Sequence, residues 1–206
     1  MSRVTTSRGF TPKHFRRPEQ TEQERVPPGQ YLAHGFPVLT VGPTPVVPPE
    51  QYRLKVVAAD GTTARTWTLA ELEALPAQRL TTDIHCVTRW SKLDTTWEGV
   101  PVDVLLEGVP PAPFLTAEAY GDYTTNLATD DVVGGRGWVV WGYDGAPLTP
   151  EHGGPVRLLV PHLYFWKSAK WLSRLVLRER DHPGFWERAG YHHRGDPWRE
   201  QRYDTD

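Results

Sequence analysis

Short apolar runs, many alternating with polar residues, recur along the chain, and this pattern predicts a protein built mainly from strands. Alternation predicts a strand over 52–58, and the Asp60-Gly61 turn leads to a returning strand over 63–68. Thr68 and Glu71 form a capping box that begins a helix over 69–75. Further strands are expected over 79–87, 114–120, 138–143, 156–160 and 171–177, and further short helices over 102–107 and 127–133. The fold class is therefore α+β, strand-rich with short helices.

Residues 1–30 show no apolar period and are expected to form a flexible arm, leaving one domain over 31–206. Arg16-Arg17 is followed by polar residues rather than a hydrophobic region, so we expect no export signal and a cytoplasmic location. Prolines crowd the segment 31–49, which must run extended or along a sheet edge because proline lacks a backbone donor.

Composition excludes several classes of protein. The net charge is −2, which does not favour nucleic acid as a partner. No apolar stretch reaches the roughly 18 residues of a membrane span. A single cysteine excludes an internal disulfide and any site with several cysteine ligands.

That cysteine, Cys86, follows a predicted strand, with His85 before it and Arg89 after it. Nearby positive charge favours the thiolate, which is both a nucleophile and a metal ligand. A buried, inert cysteine is the plain alternative. The neighbouring residues must decide between these interpretations.

Two later segments supply groups suited to an anion. Arg157 interrupts an apolar strand after His152 and a Gly-Gly-Pro turn, and a buried guanidinium needs a partner or ligand. Lys167 and Lys170 flank Ser168, next to Phe165 and Trp166, which can cover a ring system. A structural salt bridge and an ordinary aromatic core are the alternatives. One thiolate with several phosphate-binding groups favours a metal held mostly by an anionic organic cofactor.

At this point the sequence resembles the molybdopterin-dependent oxidoreductases of the sulfite oxidase fold, and more closely the short bacterial proteins that consist of the molybdenum domain alone. The resemblance covers roughly residues 30–203. It rests on four segments in the family's order: His85-Cys86-Val87-Thr88-Arg89-Trp90-Ser91, Trp97-Glu98-Gly99-Val100-Pro101, His152-Gly153-Gly154-Pro155-Val156-Arg157 with Val160-Pro161, and Lys167-Ser168-Ala169-Lys170-Trp171.

The resemblance implies that Cys86 binds molybdenum and that molybdopterin, in its plain form rather than the nucleotide form, supplies the other sulfurs. Tyr191 or His85 would donate hydrogen bonds to the substrate. The implied cofactor-binding residues, besides Cys86, are His34, Gly35, Phe36, Thr125, His152, Arg157, Phe165, Trp166, Lys167, Ser168 and Lys170.

The resemblance also implies two-electron redox or oxygen-atom transfer on a small, possibly sulfur-containing substrate, with a separate protein as electron donor or acceptor. Sulfite oxidases line their anion pocket with arginines, whereas Ser91 and Ala33 stand at two of those positions here. Sulfite is therefore a doubtful substrate. The haem and dimerisation domains of the animal enzymes have no counterpart, so electrons are expected to go to or come from a separate partner. The chain is expected to be a monomer.

Three other functions were considered, of which the first two remain open. Cys86 could be the nucleophile of a hydrolase, with His152 or His162 as base and Asp83 as orienter. The chain could be a non-catalytic module that binds a pterin or another protein through its tryptophans. A zinc site at His192 and His193 is disfavoured, because adjacent histidines point apart.

Overall fold

The computed structural model describes residues 21–206, in which eleven strands and two short α-helices surround one core. The strands are β1 Tyr31–Leu32, β2 Arg53–Val57, β3 Thr63–Thr68, β4 Gln78–His85, β5 Trp90–Pro101, β6 Phe114–Ala119, β7 Thr124–Ala128, β8 Trp138–Tyr143, β9 Ala146–Pro147, β10 Arg157–Leu159 and β11 Leu172–Arg178. The helices are α1 Leu69–Glu73 and α2 Val102–Leu106. This α+β architecture confirms the predicted fold class.

The strands form two mixed sheets. In the first sheet the order is β1-β5-β8-β10, with β4 also paired to β5 and β9 to β8. In the second the order is β3-β2-β11-β6-β7. Only the β1–β5 and β2–β11 pairs among these named strands are parallel. Leu54, Leu115, Val139, Leu158 and Leu175 bring both sheets into a shared core, while Cys86 belongs to a smaller cluster with Trp90, Trp97 and Leu159.

Most local predictions are confirmed. The Thr68 hydroxyl accepts from the Glu71 backbone N–H, and Glu71 accepts from the Thr68 backbone, as a capping box requires. The helix that begins there ends at Glu73, before the predicted residue 75. The strands expected over 52–58, 63–68, 79–87, 114–120, 138–143, 156–160 and 171–177 all exist, within a few residues at their ends.

One prediction about secondary structure is wrong, and one strand was missed. The helix expected over 127–133 is instead the end of β7 followed by a 3₁₀ turn at Thr129–Asp131. Leu127 and Ala128 pair with β6 in a ladder, so tertiary pairing overrides the local pattern. The longest strand, β5, was not predicted, because Asp94 adopts a positive φ of 54° and the register against β4 shifts nearby, which breaks the alternation.

Residues 1–20, including the Arg16-Arg17 pair, lie outside the described residues. The remainder of the predicted arm packs on the domain: Val26 is buried, and Arg25 forms salt bridges with Asp83 and Asp94. Within residues 21–206 no helix has the length and apolar character needed to cross a bilayer.

Candidate active site

A cavity of about 710 Å³ opens where five segments meet. They are the extended strip Phe36–Val41, the turn between β4 and β5, the two loops that flank β10, and the C-terminal segment from Phe185 to Tyr191. Ligand sites of roughly 300–1,000 Å³ are typical for organic cofactors and substrates. The cavity brings most of the predicted site residues together.

Cys86 lies at the start of the tight turn that joins β4 to β5. Its backbone N–H donates to the Trp90 carbonyl at 2.8 Å, and Arg89 donates back to the Cys86 carbonyl at 2.9 Å. Arg89 closes this turn with a positive φ of 75°. The turn directs the sulfur into the cavity, where the Thr88 hydroxyl donates to it at 3.2 Å. Burial raises the pKa of the Cys86 thiol.

His85 does not line the cavity, contrary to the catalytic role expected for it. Neighbouring side chains on a strand alternate between faces, so His85 points away from the side that holds Cys86. Its ring Nδ1 lies 2.9 Å from the buried Ser91 hydroxyl, and its edge approaches Trp198. Burial lowers the pKa of His85 to about 4. These contacts make His85 a neutral packing residue.

Arg157 is a fully buried cation that also lines the cavity. Its Nη1 and Nη2 atoms donate to the His152 and Ser168 carbonyls, each at 2.8 Å. Its guanidinium lies 4.2 Å from the centroid of Phe165. Among the described residues, no carboxylate forms a salt bridge with it. Burial lowers the pKa of Arg157 to about 9, so it remains charged at neutral pH.

Lys170 and His152 stand beside Arg157. Lys170 Nζ donates to the Glu151 carbonyl at 2.7 Å. Burial, followed by repulsion from Arg157, lowers the pKa of Lys170 to about 8. The pKa of His152 is also lowered, first by burial and then by these two cations. Two positive charges in one cavity, with no carboxylate partner in the described part of the chain, fit a phosphate group.

The proline-rich strip contributes Phe36, whose ring stacks on His152 with centroids 3.9 Å apart. Its neighbours His34 and Gly35 are exposed and do not line the cavity, so the expectation that they contact the cofactor is not met in this structure. Leu39, Thr40 and Val41 line the rim instead. The prolines predicted an extended strip, and of the three strip residues that the resemblance implied, Phe36 faces the cavity.

The Phe165–Ser168 segment divides between cavity and core. Phe165, Trp166 and Ser168 line the cavity, with the Ser168 hydroxyl also accepting from the Val160 N–H. Lys167 does not: its ammonium lies 2.6 Å from Glu187 Oε1 and 2.7 Å from Asn126 Oδ1. The resemblance implies that Lys167 binds phosphate, but the structure places its ammonium in a buried ion pair with Glu187.

Thr125 belongs to the same buried network. Its hydroxyl donates to Glu187 Oε1 at 2.9 Å, and Trp166 Nε1 donates to that oxygen at the same distance. The resemblance implies that Thr125 contacts the cofactor, but Thr125 does not line the cavity. It lies behind the lining residues, where it holds Glu187.

Tyr191 lines the cavity, as predicted. Its ring packs edge-on against Trp166, with centroids 5.3 Å apart, and against Trp186 at 4.8 Å. Its hydroxyl has no hydrogen-bond partner among residues 21–206. Burial raises its pKa, and proximity to Cys86 adds to the shift.

The cavity is also lined by residues that the sequence did not predict as site residues: Thr88, Tyr123, Trp171, Phe185 and Trp186. The Tyr123 hydroxyl donates to the Trp166 carbonyl, which fixes one wall. The aromatic content of the tail was a signal for Trp186, but only the folded chain brings that tail to the cavity.

The histidine pair from the zinc alternative does not converge. His192 Nδ1 accepts from the Arg194 and Gly195 N–H groups, whereas His193 Nδ1 lies 3.1 Å from Asp181. No group of three or more His, Cys, Asp or Glu side chains suited to a metal occurs within the described part of the chain.

Comparisons with known proteins agree with this chemistry. Residues 41–186 match the model of the oxidoreductase molybdopterin binding domain. The chain is 42% identical to the uncharacterized oxidoreductase YuiH of Bacillus subtilis strain 168 over 200 residues, which is 94% of this chain and 100% of YuiH.

More distant similarities extend to larger proteins. The chain is 27% identical to the mitochondrial sulfite oxidase of Drosophila melanogaster over 72% of its own length but only 31% of that enzyme's. The sulfane dehydrogenase SoxCD from Paracoccus pantotrophus shares the fold with a TM-score of 0.59 and 22% identity, over 67% of this chain and 41% of that one. From the family match and the near full-length similarity to YuiH, we conclude that the chain belongs to the oxidoreductase molybdopterin binding domain family of sulfite oxidase type, whose cofactor is molybdenum held by molybdopterin.

Proposed function

We propose that the protein transfers two electrons, or an oxygen atom, to or from a small sulfur-containing substrate, with the Cys86 thiolate binding molybdenum. The observation that carries this proposal is the arrangement of one cavity. The only thiol of the chain lines it, and so do Arg157 and Lys170, two cations that form no salt bridge with a carboxylate of residues 21–206. When bound, the molybdenum cofactor supplies the redox chemistry.

The chain's own residues would bind the phosphate of the cofactor and orient the cofactor in the cavity. Arg157 is fixed by the His152 and Ser168 carbonyls with unused N–H groups left for a phosphate, and charge-assisted bonds of this kind are the stronger ones. Lys170 adds the second charge. Their combined charge matches one phosphate of about −2, which favours plain molybdopterin over a nucleotide form with further phosphates.

Cys86 would hold the metal through its sulfur, and Tyr191 lines the same cavity. Burial raises the pKa of the Cys86 thiol, and a thiol must lose its proton to bind a metal, so binding would release a proton there. The Tyr191 hydroxyl is free to donate a hydrogen bond to a substrate oxygen. A sulfur-containing substrate is consistent with the names of two similar proteins, a sulfite oxidase and a sulfane dehydrogenase. Electrons would pass to or from a separate protein.

A cysteine hydrolase fits the cavity less well. Such an enzyme needs a base within hydrogen-bond reach of the sulfur. Among residues 21–206 the only hydrogen bond to the sulfur comes from Thr88. His152 stacks on Phe36, and His162 lies 3.2 Å from Asp131. A non-catalytic binding module remains the second alternative, and molybdenum content with turnover distinguishes it.

The test combines Cys86→Ser with alkylation of the thiol. We expect the variant to retain pterin and to lose turnover, measured with sulfite and ferricyanide and with methyl phenyl sulfoxide and reduced viologen. Since Cys86 is the only cysteine, one mass shift reports its reaction. It should resist iodoacetamide in molybdenum-loaded protein and react after the metal is removed. Full turnover in Cys86→Ser would refute the assignment.

A further inference from the structure

The part of the cavity wall that Tyr191 forms with Trp186, Phe185 and Tyr123 is aromatic, and the charged side chains among the described lining residues are Arg157 and Lys170. We infer that the substrate is an uncharged molecule with an apolar or aromatic body and a single polar oxygen. This inference rests on the proposed function, because it concerns the space that the cofactor leaves open.

The aromatic rings of this wall form a continuous series. Tyr191 packs on Trp186 with centroids 4.8 Å apart, Trp186 on Phe185 at 5.2 Å, and Phe185 on Tyr123 at 6.1 Å. Fixed aromatic faces and edges attract planar or apolar groups. Of their two phenols, Tyr123 already donates to the Trp166 carbonyl, so Tyr191 is the hydroxyl left for the substrate.

The rim continues this character. Leu39 and Val41 from the proline-rich strip are each 49% exposed, and Phe185 opposite them is 37% exposed, although all three line the cavity. Large apolar side chains kept half in water beside a cavity are a typical feature of a binding site for an apolar molecule.

The cationic side chains that line the cavity are the ones that the proposed function assigns to the phosphate of the cofactor. These are Arg157 and Lys170, which lie side by side next to His152, and no acidic residue among 21–206 lines the cavity. A phosphate of about −2 would neutralise both. Arg89 is exposed on the outer side of its turn and does not line the cavity. Among the cavity-lining residues of 21–206, no further positive charge is then left to stabilise an anionic substrate.

Solvation then decides between substrates. An anion entering this aromatic space would lose water without gaining a charged partner, which is costly. An uncharged molecule loses little solvation from its body and gains apolar contact, while its oxygen accepts from Tyr191. The site therefore selects against oxyanions.

The experiment compares two ligands that differ in one charged group: methyl phenyl sulfoxide and the same molecule with a para-carboxylate. Calorimetric titration of the oxidised, molybdenum-loaded protein gives both dissociation constants without turnover. We expect the carboxylate to bind at least about 30-fold more weakly, as an unpaired charge in a poorly hydrated site requires. Equal or tighter binding of the carboxylate, or no saturable binding of either ligand, overturns the inference.

Two variants at the rim make the test specific. Val41→Lys adds a cation, so the ratio of the two dissociation constants should fall several-fold, whereas Val41→Gln, similar in length but uncharged, should preserve it. An unchanged ratio in Val41→Lys would mean that the substrate binds elsewhere. Molybdenum per chain and protection of Cys86 from alkylation are measured on the same samples. If molybdenum content and Cys86 protection are normal and the protein prefers the anionic ligand, this inference alone is rejected. If molybdenum content and Cys86 protection are low, the proposed function is rejected.

Discussion

The ammonium of Lys167 lies 2.6 Å from Glu187 Oε1, and both side chains are completely excluded from solvent. Lys167 also donates to Asn126 and to the His193 carbonyl. Glu187 belongs to the segment that carries Trp186 and Tyr191 into the cavity. The pair therefore ties the C-terminal wall of the site to β7.

Lys167→Met should lower the free energy of unfolding by about 3–5 kcal/mol, because it leaves a buried carboxylate without its counter-charge. Urea unfolding followed by tryptophan fluorescence measures the loss. The matched control is Lys55→Met on the exposed side of β2, which should change stability by no more than about 0.5 kcal/mol. A second change, Glu187→Gln, should recover part of the loss. If Lys167→Met costs no more than Lys55→Met, the pair has no structural importance.

Cofactor binding depends on the fork geometry of Arg157. Arg157→Met should reduce molybdenum per chain by about 10-fold or more, since hydrogen bonds to charged groups contribute about 1.5–3 kcal/mol. Arg157→Lys keeps the charge but loses the planar fork, so an intermediate value is expected. Elemental analysis after expression in a host that makes the cofactor gives the result. Arg174→Met, at an exposed pair with Glu118, is the control. Normal metal content in Arg157→Met would remove Arg157 from the site.

The sequence indicated that Arg157 needs a partner or ligand, but it did not indicate which residue pairs with Lys167. Arg157 lies inside the apolar run of β10, and a charge in such a run is a signal that the local sequence alone provides. Lys167 and Lys170 look equivalent in the sequence, yet the 3₁₀ turn at Phe165–Lys167 sends them to different sides. The carboxylate that binds Lys167 is twenty residues away, and no local pattern indicates it.

The helices and strands show the same difference between local signals and long-range contacts. α1 and β8 were predicted because a capping box and a short apolar run each specify structure locally. The strand β5 was not, since it is stabilised by pairing with β4, β8 and β1, while Asp94 and Gly99 disturb its own pattern. A Cβ at Gly99 would collide with the Val139 carbonyl, a constraint that exists only after the strands pair.

Acid should destabilise the protein through Asp131. Burial raises the pKa of this carboxyl, but hydrogen bonds from His162 and Arg194 outweigh burial and hold it well below its ordinary value. As pH falls, the unfolded chain takes up the proton first, near its ordinary pKa of about 3.9. The stabilisation is therefore complete above about pH 5 and is lost as pH falls further.

Asp131→Asn should thus be less stable than the wild type by about 1–3 kcal/mol at pH 7, and the difference should shrink between about pH 5 and pH 3. Urea unfolding across that range measures it. Asp130→Asn, an exposed neighbour, is the control and should follow the wild-type curve. A difference that is constant with pH would contradict the ion-pair assignment.

Tyr191→Phe isolates the hydroxyl that we assign to the substrate. The ring contacts with Trp166 and Trp186 remain, so molybdenum content and melting temperature should match the wild type. Loss of one donor aimed at the substrate oxygen should lower kcat about 10-fold or more. The assay is reduction of methyl phenyl sulfoxide, which takes two electrons from reduced viologen and two protons and yields the sulfide and water. Tyr203→Phe, whose ring packs on Tyr191 from the exposed side, removes a hydroxyl outside the cavity and should leave kcat within about two-fold. Equal kcat values for the two variants would leave Tyr191 with a packing role only.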